Sequence, residues 1–219
     1  MTRNTTKGFI EDIRYELIES VGETYNDKYL IKWLNEGNKK FFAGVPIGGA
    51  LEIEPMYFDW AKKKVDKVLV ANTDTVPLDF TVRRILKVEV DGVDIVPKEY
   101  EDINGESFTD PVFALTADGL YFPAGVTAGQ TVAVVADVWD KTLDWTNDDD
   151  TFEIIRPGYE DILMNYVWYR AKNRNEYAAT LAEEYKTAFN EAMLLARKES
   201  LNIVADEPKT VKIVTQLFA

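Results

Sequence analysis

Asn26-Asp-Lys-Tyr-Leu-Ile-Lys-Trp-Leu-Asn-Glu-Gly-Asn-Lys-Lys-Phe-Phe42 is the stretch that decides the fold. Leu30, Trp33, Leu34, Gly37 and Phe41 recur at spacings of three and four, which puts them on one face of a helix. Asn26 or Asp27 supplies the N-cap. Gly37 sits on the apolar face and has two readings: close approach of another helix, or a tolerated surface glycine. Just past Phe42 the pattern stops. Residues 43–54 are punctuated by Gly and Pro, and beyond them the hydrophobic period shortens from that of a helix to that of a strand. A helix cut off in this way marks the entry to an inserted β module.

Reading outward, Phe9, Ile10, Ile13, Leu17, Ile18 and Val21 predict an earlier helix over 7–21, ended by Gly22-Glu-Thr-Tyr-Asn-Asp. On the far side, Val65–Ala71 reads as a strand and Asn72-Thr-Asp-Thr-Val-Pro as a turn. Arg84–Val90 is β-branched and alternating, and Asp91-Gly92 is a strong hairpin signal before Val93–Val96. Phe113–Leu115 and Leu120–Phe122 flank a second hairpin at Ala117-Asp118-Gly119, and Thr131–Val138 alternates as a strand. Turn signals this frequent favour a small antiparallel sandwich or barrel. Thr142–Thr151 is a polar loop. Pro157 suits the first turn of a helix running to about Lys172, and a last helix is predicted over Glu176–Asn202. Pro208 breaks order before an alternating tail. The expected fold is therefore α+β: a split four-helix bundle from residues 1–54 and 153–202, an inserted antiparallel β-sandwich or barrel over 55–152, and an extended tail over 203–219.

Charge follows the same division. The net charge is −13, and residues 55–152 alone carry 19 acidic against 9 basic side chains. Such a surface disfavours binding DNA through its phosphates, yet it leaves a duplex free to slide past. Without a single Cys or His, the chain has no disulfide, no thiolate metal site and no Ser-His-Asp or Cys-His catalysis. Chemistry would fall to carboxylate, Lys or Tyr. No apolar run reaches the roughly 18 residues of a membrane span, and Met1-Thr-Arg-Asn-Thr-Thr-Lys-Gly lacks the apolar stretch of a secretory signal. Neither membrane insertion nor secretion is expected.

Several groups remain as candidate sites, each with a plain structural alternative. Asp148-Asp149-Asp150 offers oxygen ligands for Ca²⁺ or Mg²⁺ but lacks EF-hand spacing; a solvated acidic loop accounts for it. Lys62, Lys63, Lys64 and Lys67 form the only basic cluster, suited to an acidic partner surface or simply to solvent. Glu160-Asp161 and Glu183-Glu184 are paired carboxylates, but a di-iron bundle needs Glu-x-x-His motifs. The aromatics of the last helices exceed what one face needs. Trp168, Tyr169 and Tyr177 are candidates for a subunit interface, with core packing as the alternative. The tail places Val211, Ile213 and Leu217 on one face of an extended strand and Val214 and Phe218 on the other. It reads either as disordered or as a strand added to a partner's sheet or groove. No metal, cofactor or catalytic residue is assigned.

Two stretches, Ile13-Arg-Tyr-Glu-Leu-Ile-Glu-Ser with Tyr29-Leu-Ile-Lys-Trp-Leu-Asn-Glu-Gly-Asn-Lys-Lys-Phe, and Ile154-Ile-Arg-Pro-Gly-Tyr-Glu-Asp-Ile-Leu-Met-Asn-Tyr with Ala182-Glu-Glu-Tyr-Lys-Thr-Ala-Phe-Asn-Glu-Ala, bracket Val76-Pro-Leu-Asp-Phe and Ile85-Leu-Lys-Val. This order resembles the head–tail adaptor (connector, head-completion or ring) proteins of tailed bacteriophages, of podovirus or crAss-like type, across about residues 7–202. The resemblance implies a structural virion protein at the head–tail junction, made in the host cytoplasm. It implies a dodecameric ring beneath the portal protein, a tail that docks on portal, a tail, nozzle or second ring protein below, DNA passing through unbound, and no catalysis. Two rival readings are a glycan- or receptor-binding β-sandwich on a helical stalk and a carboxylate glycosidase.

Overall fold

The computed structural model describes residues 5–17, 25–46, 53–103, 111–156, 158–174 and 179–204. In chain order the elements are α1 (Thr6–Leu17), α2 (Asp27–Ala43), the two-residue strands β1 (Val45–Pro46) and β2 (Ile53–Glu54), then β3 (Lys62–Val68), β4 (Thr73–Val76), β5 (Val82–Val90), β6 (Val93–Asp94) and β7 (Val96–Pro97). They continue with α3 (Tyr100–Ile103), β8 (Val112–Thr116), β9 (Gly119–Val126), β10 (Thr131–Val138), α4 (Glu160–Lys172) and α5 (Ala179–Val204). The class is α+β, as expected: five helices and two four-stranded sheets, with no closed barrel among the described residues. The chain divides into two compact units, residues 5–61 with 140–204 and residues 62–139.

The helical unit is built from both sides of the β segment. Asn26 has the extended backbone of an N-cap, and its side chain accepts from the Tyr29 N–H at 3.1 Å, satisfying one of the open donors of the first turn. Gly44, at φ 104°, closes α2 and donates its N–H to Lys40 O, a conformation that Gly adopts at no steric cost. The buried face of α2 is Leu30, Ile31, Trp33, Leu34, Phe41 and Phe42, each worth about 1.5–3 kcal/mol of transfer free energy. Phe9, Ile13 and Leu17 of α1 are buried, as are Leu163, Tyr166 and Val167 of α4 and Phe189, Met193 and Ala196 of α5. The α1 periodicity is correct as far as Leu17; Ile18, Val21, Pro157 and Tyr177 lie outside the described residues, as does the tail from 205 onward.

In the β unit one sheet has the order β3-β10-β5-β6 and the other β4-β9-β8-β7. All pairs are antiparallel except β7–β8. Along β10, Val132, Val134, Ala136 and Val138 are buried while Thr131, Ala133 and Val135 are half-buried, the alternation that defines a half-covered strand. Asp91 (φ 51°) and Gly92 (φ 79°) make the tight turn that brings Val90 opposite Val93. One expectation is corrected. The segment read as a turn from Asn72 is strand β4, paired through Thr73↔Val126, Thr75↔Tyr121 and Val76↔Leu120; the reversal lies at 69–72. Thr73, Thr75 and Val76 are β-branched, and pairing with β9 outweighs the turn preference of Asn72 and Asp74.

Candidate functional site

The residues Trp33-Leu-Asn-Glu-Gly37 tie the two ends of the chain together. The Trp33 ring packs edge-on to Tyr25 at 5.3 Å, and the Arg174 guanidinium lies 5.0 Å from its centre, within cation–π range. The Asn35 amide forms a reciprocal pair with the backbone of Leu143: Nδ2 donates to Leu143 O at 3.0 Å, and the Leu143 N–H donates to Oδ1 at 2.9 Å. Glu36 accepts from Arg170 at 2.9 Å, and Arg170 also donates to the Tyr166 hydroxyl. Gly37 faces Tyr166: a Cβ there would stand 3.1 Å from Tyr166 Cδ1. The close-approach reading of Gly37 is therefore the correct one. Upstream, the Tyr25 hydroxyl donates to Ala171 O at 2.6 Å from a buried position. Arg14 bridges Tyr25 O and Asp27.

A second cluster closes the other end of α2. Phe41, Phe42, Phe58, Trp60 and Tyr159 pack ring against ring with centroids 4.6–6.4 Å apart. The Tyr159 hydroxyl donates to Glu199 and the Trp60 indole donates to the same carboxylate, while Ser200 Oγ accepts from the Tyr57 N–H at 2.7 Å. Burial first, and then the Glu199 charge, pushes the Tyr159 phenol well above its usual range. The phenol is held as a donor to Glu199.

The acidic loop is more structural than its composition suggested. Thr6 and Lys7 donate their backbone N–H groups to the carbonyls of Asp150 and Asp148, so the loop caps the open N-terminus of α1. Asp148 and Asp149 are exposed, as expected of a solvated loop. Asp150 is not: its carboxylate, 13% exposed, meets Lys141 at 2.6 Å and accepts from the Asp144 N–H. Burial alone would raise this carboxyl, but the Lys141 contact and the N–H donors outweigh it and hold it below the usual carboxylate range. Asp140 collects the backbone N–H groups of Lys141, Glu153, Ile154 and Ile155 on its two oxygens, which shapes the approach to α4. Among the described residues no group of three or more His, Cys, Asp or Glu is placed to hold a metal ion.

Trp168 and Tyr169, the described members of the candidate interface, lie half-buried on α4. Trp168 packs against Tyr185 at 5.3 Å, and its buried Nε1 has no acceptor among the described residues. Tyr185 donates to Glu16 at 2.6 Å, and burial together with that carboxylate pushes its phenol up to about 12. Tyr169 packs on Tyr166 and receives the Lys186 ammonium over its ring. Trp168 also walls a cleft of about 190 Å³ between α1 and α4, bordered by Tyr15, Asp12, Glu16, Glu160 and Asp161. This is small for a substrate pocket. Aromatic faces beside carboxylates suit a cationic side chain better than a neutral small molecule.

In the β unit, Lys62, Lys63, Lys64 and Lys67 run along β3. Lys63 lies over the Phe80 ring, Lys64 pairs loosely with Asp66, and Lys67 reaches Pro77 O and Asp79. Beneath them, Arg84 donates to the fully buried Asp137 at 2.8 Å. Desolvation raises the Asp137 carboxyl above its usual range in spite of Arg84. The remaining site candidates, Tyr177 and tail residues Val211, Ile213, Val214, Leu217 and Phe218, lie outside the described residues.

The sequence reading did not foresee the roles of Asn35, Glu36, Tyr25 and Glu199. Each is an ordinary polar residue, Tyr25 in the loop before α2 and the others on helices, and each finds a partner more than a hundred residues away: Ala171 O for Tyr25, Leu143 for Asn35, Arg170 for Glu36 and Trp60 for Glu199. Two comparisons complete the description. The family model for "SU10 adaptor protein" matches residues 4–208, which bears out the resemblance read from the ordered motifs. No curated protein matches the chain.

Proposed function

The chain belongs to the SU10 adaptor protein family and is a structural adaptor of bacteriophage particles, and we propose that it forms a ring beneath the portal protein at the head–tail junction. The observation that carries this reading is a family match spanning both compact units and both sides of the β segment. In this role the two helical ends act as one folded wedge, and the β unit is a module carried on it. A wedge with two unlike faces closes into a ring through heterologous contacts, with twelve copies the expectation that follows from the resemblance. Trp168, Tyr169 and Tyr177 are the aromatic part of that contact. Residues 203–219, through Val211, Ile213, Val214, Leu217 and Phe218, dock on portal or a neighbouring copy. The Lys62, Lys63, Lys64 and Lys67 strand faces an acidic partner surface.

The chain's excess of 13 negative charges supports a conduit past which DNA slides without binding. Family membership also favours a structural role without turnover, and neither rival reading, glycan binder or glycosidase, gains a supporting observation. The test is electron microscopy of tailless heads mixed with the purified chain. A ring of added density at the portal vertex is expected, lost when residues 205–219 are deleted. Heads left bare by the full-length chain would reject the reading.

A further inference from the structure

One end of the β unit is built as a rigid, apolar, acid-rimmed surface. Three turns meet there: residues 69–72 between β3 and β4, Asp91-Gly92 between β5 and β6, and residues 127–130 between β9 and β10. The strand register requires it, since Thr131 pairs with Val68, Val132 with Val90, and Thr73 with Val126. The turns are bonded to one another and not only to themselves. Leu69 N–H donates to Gln130 O at 3.0 Å and Gly129 N–H to Leu69 O at 2.8 Å. Ala128 N–H donates to Asn72 Oδ1 at 2.8 Å. The Asp91 carboxylate accepts from Thr131 N–H at 2.8 Å and from Gln130 Nε2 at 3.1 Å. Loops tied this way lose little entropy when they bind.

What this end presents is unusual for so charged a chain. Val70 is 96% exposed, Val68 62% and Val93 57%, while Leu69 between the first two points inward and is buried. Singly scattered exposed valines are common and carry no meaning. Here Val68 and Val70 flank one hydrogen-bonded turn, and Val93 follows the Asp91-Gly92 turn at the same end of the sheet, on its opposite edge strand. Residues 68–73 and 126–136 contain no charged side chain, although 29% of the chain is charged. The charges stand around the patch: Asp74, Asp91 and Asp94 are exposed, and the neighbouring Lys87 is engaged by Glu89 and Asp94. An apolar centre inside a polar rim is the anatomy of a protein–protein contact.

We infer that this end docks on a different virion protein, with Val70 as the anchor and Val68 beside it, in an apolar recess rimmed by Lys or Arg. The partner's nature follows from charge. A carboxylate rim repels nucleic acid and calls for a basic frame. A second copy of this chain, with its net charge of −13, is the poorer match for such a rim. That the partner is a virion protein rests on the adaptor reading.

The test complements a phage lacking this gene with the wild-type chain, Val70→Asp, Val70→Leu, or Asp118→Ala in the β8–β9 turn. Purified Val70→Asp should melt within about 1 °C of wild type, as exposed substitutions do, and should join heads normally. Yield of complete particles should then fall about tenfold or more, the effect expected of an interface anchor, while Val70→Leu and Asp118→Ala stay near wild type. A photo-crosslinker at position 70 should capture another virion protein within assembled particles. Wild-type yield from Val70→Asp, or crosslinks only between copies of this chain, would overturn the docking assignment and leave the adaptor reading standing. Absence of the wild-type chain from complete particles would instead overturn the adaptor reading and this inference with it.

Discussion

Replacing Asn35 by Ala removes both hydrogen bonds between α2 and the backbone of Leu143. Each is worth about 1 kcal/mol net, so about 2 kcal/mol is lost. Ala is the better helix former and returns roughly 0.5–0.7 kcal/mol. The expected net cost is about 1.5 kcal/mol, which for a chain of this size lowers the melting temperature by about 3–6 °C. Thermal unfolding at neutral pH, followed by the helical circular dichroism signal, reads this directly. Asn35→Asp sharpens the test. It keeps an acceptor for the Leu143 N–H but sets a carboxylate oxygen against the Leu143 carbonyl, so at neutral pH it should cost at least as much as Ala. The loss should shrink on acidification, because a protonated carboxyl can donate. If Asn35→Ala melts at or above wild type, helix propensity dominates and the polar tie from α2 to the returning chain contributes nothing.

Other sites give independent checks. Gly37→Val places a branched side chain against Tyr166, whose hydroxyl is held by Arg170 and whose ring packs on Phe189; overpacking should cost about 1–3 kcal/mol, read as a lower denaturant midpoint. Asp150→Asn should destabilise at neutral pH, with a sign fixed by linkage: a carboxyl held below its unfolded value of about 3.9 stabilises fully above that pH and loses the effect as pH falls through the lower folded value. The wild-type advantage should therefore vanish in an acid titration. Asp137→Ala strands Arg84 with a buried charge and should cost about 3–5 kcal/mol, whereas Asp137→Leu combined with Arg84→Met should recover most of it; a double variant no better than the single would refute this reading of the pair.

Much of the fold was legible where local signals act alone. The Asn26 cap, the α2 face, the Asp91-Gly92 turn and β10 from Thr131 to Val138 all depend on residues within a few positions of one another. Long-range pairing set the rest. Strand β4 was hidden because Asn72 and Asp74 favour turns, and only β9, more than forty residues later, makes 73–76 extended. Asp150 read as solvated because its partner Lys141 and the α1 N-terminus it caps meet it only in the folded unit. Asn35 carried no sign that it would bind backbone 108 residues away. The exposed valines of the β unit were invisible for a related reason. An alternating strand shows which residues share a face, but not which turns will gather at one end.

The central claim is most directly tested by the mass of the complex formed when the purified chain is added in excess to assembled portal protein. The account predicts saturation at one complete ring, with one copy of this chain per portal subunit. No binding, or saturation at a few isolated copies, would contradict it.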